Sequence, residues 1–314
     1  MTPASETVLG AIGRTPLVRL RHCVPENGAE VWIKLEYANP TGSMKDRMAL
    51  AMIEGAERDG LLEPGAKVVE YTGGSTGPAL ALVCAAKGYS LVIVTVSCFT
   101  EERFRLMRAL GAELEVLEAV EGPARVTARD VGAMVARAGE IAAQPGHYAT
   151  DQFRNPYIVP QLRDTLGAEI WEQTNGRATA FCHGMGTATS LMGVAQALKS
   201  RRAGVYVAAL EPAGSAAVSG GARGSFAMQG WVGDVPPLFE RDQVDAVETI
   251  QDDEAIEMTL RLAREEGIFA GISSGANVVG ALRLAEHLGP DAVVVTLAVD
   301  SGFKYMTVEP YASL

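Results

Sequence analysis

Four short stretches of the chain carry residue types that could do chemistry. In "EYANPTGSMKDRMA", Asn39-Pro40-Thr41-Gly42 reads as a turn and Ser43-Met44-Lys45-Asp46 as a capping box, with serine at the N-cap and an acid three residues on. Lys45 then falls in the first helical turn, where the positive end of the helix dipole disfavours a cation and draws the amine's pKa down. A lysine with a free amine at neutral pH is what Schiff-base formation requires. Taken alone, Lys45 reads more simply as a solvated lysine at a helix start.

The second stretch is "HGMGTATSLMG", His183 to Gly193, between the strand-like "ATAFC" and an apolar helix. Gly184, Gly186, Thr187, Thr189 and Ser190 supply small residues, hydroxyls and backbone N–H groups at a helix start, a setting that suits a phosphate. Thr189 stands where a dinucleotide fingerprint has its third glycine, and no G-x-x-x-x-G-K-[ST] occurs, so neither a dinucleotide nor an NTP loop is indicated. The third, "TGGSTG" (Thr72 to Gly77), sets glycines among hydroxyls before another apolar helix and also suits an anion. In the fourth, Gly271-Ile272-Ser273-Ser274-Gly275 formally matches a hydrolase nucleophile elbow. Such a hydrolase needs an acid and then a histidine downstream; His287, preceded only by the adjacent Glu286, lies too close in the same helix. Two anion-binding loops, a Schiff-base lysine and a serine-rich turn together describe a cofactor with a phosphate, an aldehyde and a ring nitrogen: pyridoxal 5'-phosphate (PLP).

The elements that must position these residues alternate along the chain. "EVWIKLE", "AKVVEY", "SLVIVTV", "AELEVLE", "ATAFCHG", "GVYVAALEP" and "DAVVVTLAV" read as strands, interleaved with helices such as "PALALVCAAKG" and "DDEAIEMTLRLAREEG". That alternation implies an α/β protein of mainly parallel sheets flanked by helices. At 314 residues two domains are expected, with a seam after "RAGEIAAQPGHYATDQFRNP". The glycine-rich stretch Gly214 to Pro237 is expected to be an irregular functional loop.

Composition excludes several classes. Acidic residues outnumber basic ones 38 to 27, a net charge of −11 without a basic run, which argues against a nucleic-acid surface. Cys23, Cys84, Cys98 and Cys182 are scattered with no C-x-x-C pair, so buried free thiols are expected in preference to disulfides or a metal site. The first residues lack the pattern of a secretory signal, and no apolar run reaches the ~18 residues of a membrane span. The expectation is a cytoplasmic protein acting on small molecules.

With these residues in view, the chain resembles the fold-type II PLP enzymes of the cysteine synthase (O-acetylserine sulfhydrylase) and cystathionine β-synthase family. "IGRTPLVRL" resembles the family's N-terminal signature, "NPTGSMKDR" its lysine motif, and "TGGSTGPALA" stands where the family has T-S-G-N-T-G. "DQFRNP", "GMGTATS", "MQGWVGDVPP" and "GISSGA" match the remaining motifs in family order over nearly the whole chain. The resemblance implies that Lys45 carries PLP as a Schiff base and serves as catalytic base. It implies that Gly184, Gly186, Thr187, Thr189 and Ser190 hold the phosphate, that Ser273, in preference to Ser274, faces the ring nitrogen, and that Ser75 contacts the cofactor. Thr72, Gly73, Gly74, Ser75, Thr76 and Gln152 would bind the substrate carboxylate. The implied architecture is a smaller domain, 36–150, carrying the carboxylate loop, and a larger one, 1–35 plus 151–314, carrying the phosphate loop, usually as a homodimer. The implied reaction is β-replacement on an O-activated serine, by default O-acetylserine and sulfide giving L-cysteine and acetate.

The chain departs from the family pattern at Gly73 for serine, Ser75 for asparagine, and Ala188 and Thr189 for glycines, and Trp231 adds bulk to a loop that flanks the substrate. An amide-to-hydroxyl change removes a hydrogen-bonding group worth about 1 kcal/mol. The alternative is therefore β-replacement or β-elimination on a different β-substituted amino acid, with a non-catalytic relative as the remaining reading.

Overall fold

The computed structural model describes residues 5–25, 28–120, 122 and 126–314. Along the chain run β1 (Leu17–Arg19), β2 (Glu30–Leu35), α1 (Lys45–Arg58), β3 (Lys67–Tyr71), α2 (Thr76–Lys87), β4 (Ser90–Val96), α3 (Glu101–Ala109), β5 (Glu113–Leu117), α4 (Ala128–Ala142) and β6 (His147–Ala149). There follow α5 (Ile158–Leu162), α6 (Ala168–Gln173), β7 (Ala180–Gly184), α7 (Thr189–Arg201), β8 (Tyr206–Pro212), β9 (Ala246–Ile250), α8 (Asp252–Glu265), α9 (Ile272–Leu288) and β10 (Val293–Ala298). The chain divides into two compact units: one holds the segment ending at Ile12 with Lys45–Tyr157, the other Gly13–Met44 with Ile158–Leu314.

The first unit contains a four-stranded parallel sheet ordered β5-β4-β3-β6. The second contains a six-stranded sheet ordered β1-β2-β10-β7-β8-β9, parallel except for the antiparallel pair β1 and β2. β7 and β10 are buried along their whole length, and β4 and β8 at all but the first residue. Parallel strands covered on both faces are mostly apolar on both faces, which is why β4 and β10 read as near-continuous runs of Val, Ile, Leu and Ala. α2 ends at Gly88, whose φ of 79° is the left-handed conformation that closes a helix and favours glycine.

The strand orders locate a crevice in each unit. In the first, the chain steps outward from β3 through β4 to β5 and then returns to the other side of β3 with β6. In the second it steps from β7 through β8 to β9 and returns beside β7 with β10. Ligands of open α/β sheets bind at the carboxyl ends of strands flanking such a reversal. The loop after β3 is 72–75 and the loop after β7 is 185–188, two of the stretches singled out by sequence.

Two expectations are corrected. α1 begins at Lys45, one residue later than the capping-box reading, and Ser43 instead forms an isolated bridge with Asp300. "GISSGANV" does not follow a strand: among the described residues only the bridge of Ala270 with Ser301 lies between α8 and α9, and the serines open α9 itself. Without a strand-to-helix turn there is no nucleophile elbow. Among the described residues no helix is long and apolar enough to cross a membrane.

Candidate active site

In the first unit, Lys45 is the half-buried first residue of α1, which packs against α2. The Thr72 N–H continues the ladder to Val94 O (3.0 Å), and Thr72 Oγ1 accepts from the Gly74 N–H (3.1 Å), tightening the loop on itself. Thr76, at the head of α2, donates through Oγ1 to Gln152 Oε1 (2.7 Å), and Gln152 Nε2 donates to Tyr71 O (3.3 Å). The structure thus brings Thr72, Gly73, Gly74, Ser75, Thr76 and Gln152 together across the crevice between β3 and β6. Ser75 occupies the N-cap of α2 but makes no capping bond with its side chain.

Beneath this loop lies Glu70, 1% exposed, which sequence reading missed. Its carboxylate accepts from the Tyr71 N–H (2.9 Å), Thr150 Oγ1 (2.6 Å) and the Gln152 N–H (3.1 Å), tying the end of β3 to the segment after β6. Burial raises its carboxyl to about 7, and the three donors oppose that rise. The signal was available: one acid inside the apolar strand "KVVEY", where a charge needs dedicated partners.

In the second unit, Thr187, Thr189 and Ser190 are buried at the start of α7. Thr187 Oγ1 and Thr189 Oγ1 lie 2.8 Å apart, and Ser190 Oγ makes a weak contact with Met44 Sδ at 3.9 Å. Two hydroxyls that share one hydrogen bond retain a second proton for another acceptor. Ala188, between them, adopts φ 63°, a conformation that disfavours any side chain and marks local strain. A donor set of hydroxyls and helix-terminal N–H groups, with no carboxylate on the loop, fits a phosphate.

The loop is anchored by Asn277, a second residue missed in the sequence. Asn277 Oδ1 accepts from the Gly184 N–H (2.9 Å), Nδ2 donates to Leu297 O (2.9 Å), and Nδ2 stands 3.1 Å from His183 Nδ1. It lies one helical turn beyond Ser273 in α9, so the loop after β7 and the serine turn are joined through it. Ser274 Oγ accepts from the Val299 N–H (2.9 Å) and is committed to structure. Ser273 is buried with no hydrogen-bond partner for its hydroxyl among the described residues, which leaves it available to a ring nitrogen.

Trp231 turns inward. Its ring is buried against Gly184, where a Cβ would overlap the indole, and Nε1 has no partner among the described residues. Gly186 likewise abuts Gly230 O, so glycine here serves close packing of the two loops. Cys23, Cys84 and Cys182 are buried free thiols raised to about 12, first by desolvation, which makes them poor nucleophiles.

Comparison with known proteins gives a consistent result. The family described as "Pyridoxal-phosphate dependent enzyme" matches residues 8–300. A cysteine synthase of Staphylococcus aureus (strain Mu50 / ATCC 700699) is 40% identical over 313 residues, covering 98% of this chain and 97% of that protein. The crystal structure of O-ureido-L-serine synthase superposes with a TM-score of 0.92 at 37% identity, covering 99% of this chain and 96% of that one. Cysteine synthase (OASS) from Entamoeba histolytica superposes with a TM-score of 0.91 at 30% identity, covering 99% and 91%.

Proposed function

The chain belongs to the pyridoxal-phosphate-dependent enzymes of fold type II, in the cysteine synthase group, and from that premise we propose that it catalyses β-replacement on an O-activated L-serine, with O-acetyl-L-serine and sulfide as the default pair. Acetate leaves from Cβ once the α-proton is removed, HS⁻ then adds at Cβ, and return of the proton to Cα gives L-cysteine. The observation that carries the cofactor assignment is the start of α7, where Thr187 and Thr189 share one hydrogen bond beside Ser190.

When bound, PLP supplies an aldehyde that condenses with amines and a ring that accepts electron density from the substrate's α-carbon. Lys45 Nζ would hold the cofactor's aldehyde and, once released, would take the substrate's α-proton as general base and later return it to Cα. Gly184, Gly186, Thr187, Thr189 and Ser190 bind the phosphate. Ser75 contacts the cofactor as well as the substrate. Ser273 Oγ would meet the ring nitrogen as a neutral donor, so the ring would draw electrons less strongly than a protonated one, which suits chemistry at Cβ. The substrate carboxylate binds at Thr72, Gly73, Gly74, Ser75 and Thr76, with Gln152 bracing Thr76.

A second reading keeps the cofactor and changes the donor. Gly73 and Ser75, in place of the family's serine and asparagine, favour it, as does the likeness to O-ureido-L-serine synthase. We further propose a cytoplasmic homodimer. The four cysteines, all free thiols, suit a reducing compartment, and the exposed Phe303 and Met306 suit an interface.

The test is spectroscopic and then kinetic. PLP added to purified protein is expected to give the visible absorbance of a lysine-bound cofactor, and Lys45→Ala is expected to abolish it and lower turnover by at least about 10³-fold. Absence of that band in the unaltered protein would sink the assignment. Reaction with another donor but none with O-acetylserine would favour the second reading.

A further inference from the structure

The carboxylate loop contains a glycine that the backbone does not require. Gly73 is absent from the positive-φ glycines, so an L-residue could adopt its conformation without strain. Space forbids one instead. A Cβ at position 73 would overlap the Phe99 ring at Cε2, Cδ2 and Cζ. Neighbouring Gly74 meets only Thr72 Oγ1, at 3.9 Å, so crowding is confined to one side of the loop.

Phe99 is held where it is. It sits just past the end of β4, the strand next to β3, with its N–H on Val96 O (3.3 Å), and its ring packs on the cluster of Val69, Val92, Val94 and Val96. Four residues on, Arg103 Nη1 donates to Gly73 O (3.2 Å), tying α3 to the same loop residue. The ring remains half-exposed. A partly exposed aromatic surface therefore occupies the volume that a side chain at position 73 would reach into.

We propose that Phe99 is a specificity-determining residue: with Gly73 it forms an apolar wall beside the carboxylate loop that limits the size of the amino-acid donor. This rests on the reading of loop 72–76 as the donor site. Removing the ring should admit bulkier donors, whereas adding a side chain at 73 should force the ring out of place and weaken donor binding. The two effects should be coupled, because both concern one volume.

The experiment uses PLP-loaded enzyme with O-acetyl-L-serine and the larger, equally neutral O-butyryl-L-serine. Donor binding is read as the change in cofactor absorbance and turnover as kcat and KM. Phe99→Ala is expected to lower the acetyl-to-butyryl ratio of kcat/KM at least tenfold. Gly73→Ser is expected to raise donor KM at least tenfold with kcat little changed and the cofactor band intact. The double variant should recover most of that KM. Phe99→Leu, which retains packing on the valine cluster, gives a smaller shift in the same direction and covers a Phe99→Ala protein that does not fold. A donor ratio unchanged in both Phe99 variants overturns the proposal while the function stands. A wild-type holoenzyme whose absorbance responds to no O-acylserine overturns both.

Discussion

The loop after β3 and the loop after β7 occupy equivalent places, each at the carboxyl end of the strand where its sheet reverses order, yet they are lined differently. After β7, Thr187 and Thr189 are bonded to each other, and a neutral amide, Asn277, anchors the loop from below. After β3, Thr72 and Thr76 are taken up by the Gly74 N–H and Gln152, Phe99 fills the space beside Gly73, and a titratable acid, Glu70, lies beneath. The comparison teaches that topology chooses where a loop can bind an anion, while lining decides which anion. A loop that keeps hydroxyl protons in reserve suits a compact phosphate. In the other, Thr76 has given its proton to Gln152 and Thr72 accepts from the Gly74 N–H, and the glycines and helix-terminal N–H groups beside them suit the carboxylate we propose there.

The largest effect expected from breaking this contrast is on the cofactor side. Thr187→Val together with Thr189→Val removes the one hydroxyl proton that the pair keeps in reserve, a hydrogen bond to a charged group worth about 1.5–3 kcal/mol, so PLP affinity should fall by about 10- to 100-fold. Equilibrium titration of apoenzyme with PLP measures it, and donor KM at saturating PLP should hardly move.

The second effect is in pH and comes from Glu70 of the first unit. Glu70 has a folded-state pKa of about 7 against an ordinary 4.5. The folded state therefore binds more protons than the unfolded state between those values. This contribution to stability is complete below about pH 4.5 and is lost as pH rises through about 7, a change of roughly 3 kcal/mol. Unfolding by denaturant from pH 4.5 to 8 should show that slope in the wild type and lose it in Glu70→Gln; an identical slope in the variant would assign the dependence elsewhere. The smallest effect is Thr76→Val, which frees Gln152 Oε1 and should raise donor KM about fivefold, on the order of 1 kcal/mol, with PLP affinity unchanged.

Much of this contrast was legible in sequence. The two glycine- and hydroxyl-rich loops came from residue type and spacing, while the roles proposed for Lys45 and for Ser273 over Ser274 came from the family resemblance. The strands β3, β4, β7, β8 and β10 came from apolar runs that only buried parallel strands need. Glu70 and Asn277 were not found, since one is a single acid in a strand and the other a single amide in a helix, and their partners lie 80 and 93 residues away. The inward turn of Trp231 was also hidden, because nothing local says which way an indole in an irregular loop will face.

Sequence alone determined the α/β class, the family and the chemical character of each loop, because these follow from local pattern and from motifs read in order. Tertiary structure decided which strand is followed by a reversal, which hydroxyl is already spent, and why position 73 is glycine. Those depend on neighbours brought together from distant parts of the chain. The ring of Phe99 beside Gly73 is the clearest case: the glycine is visible in the sequence, but its cause is a side chain twenty-six positions on, seated there by the pairing of β3 with β4.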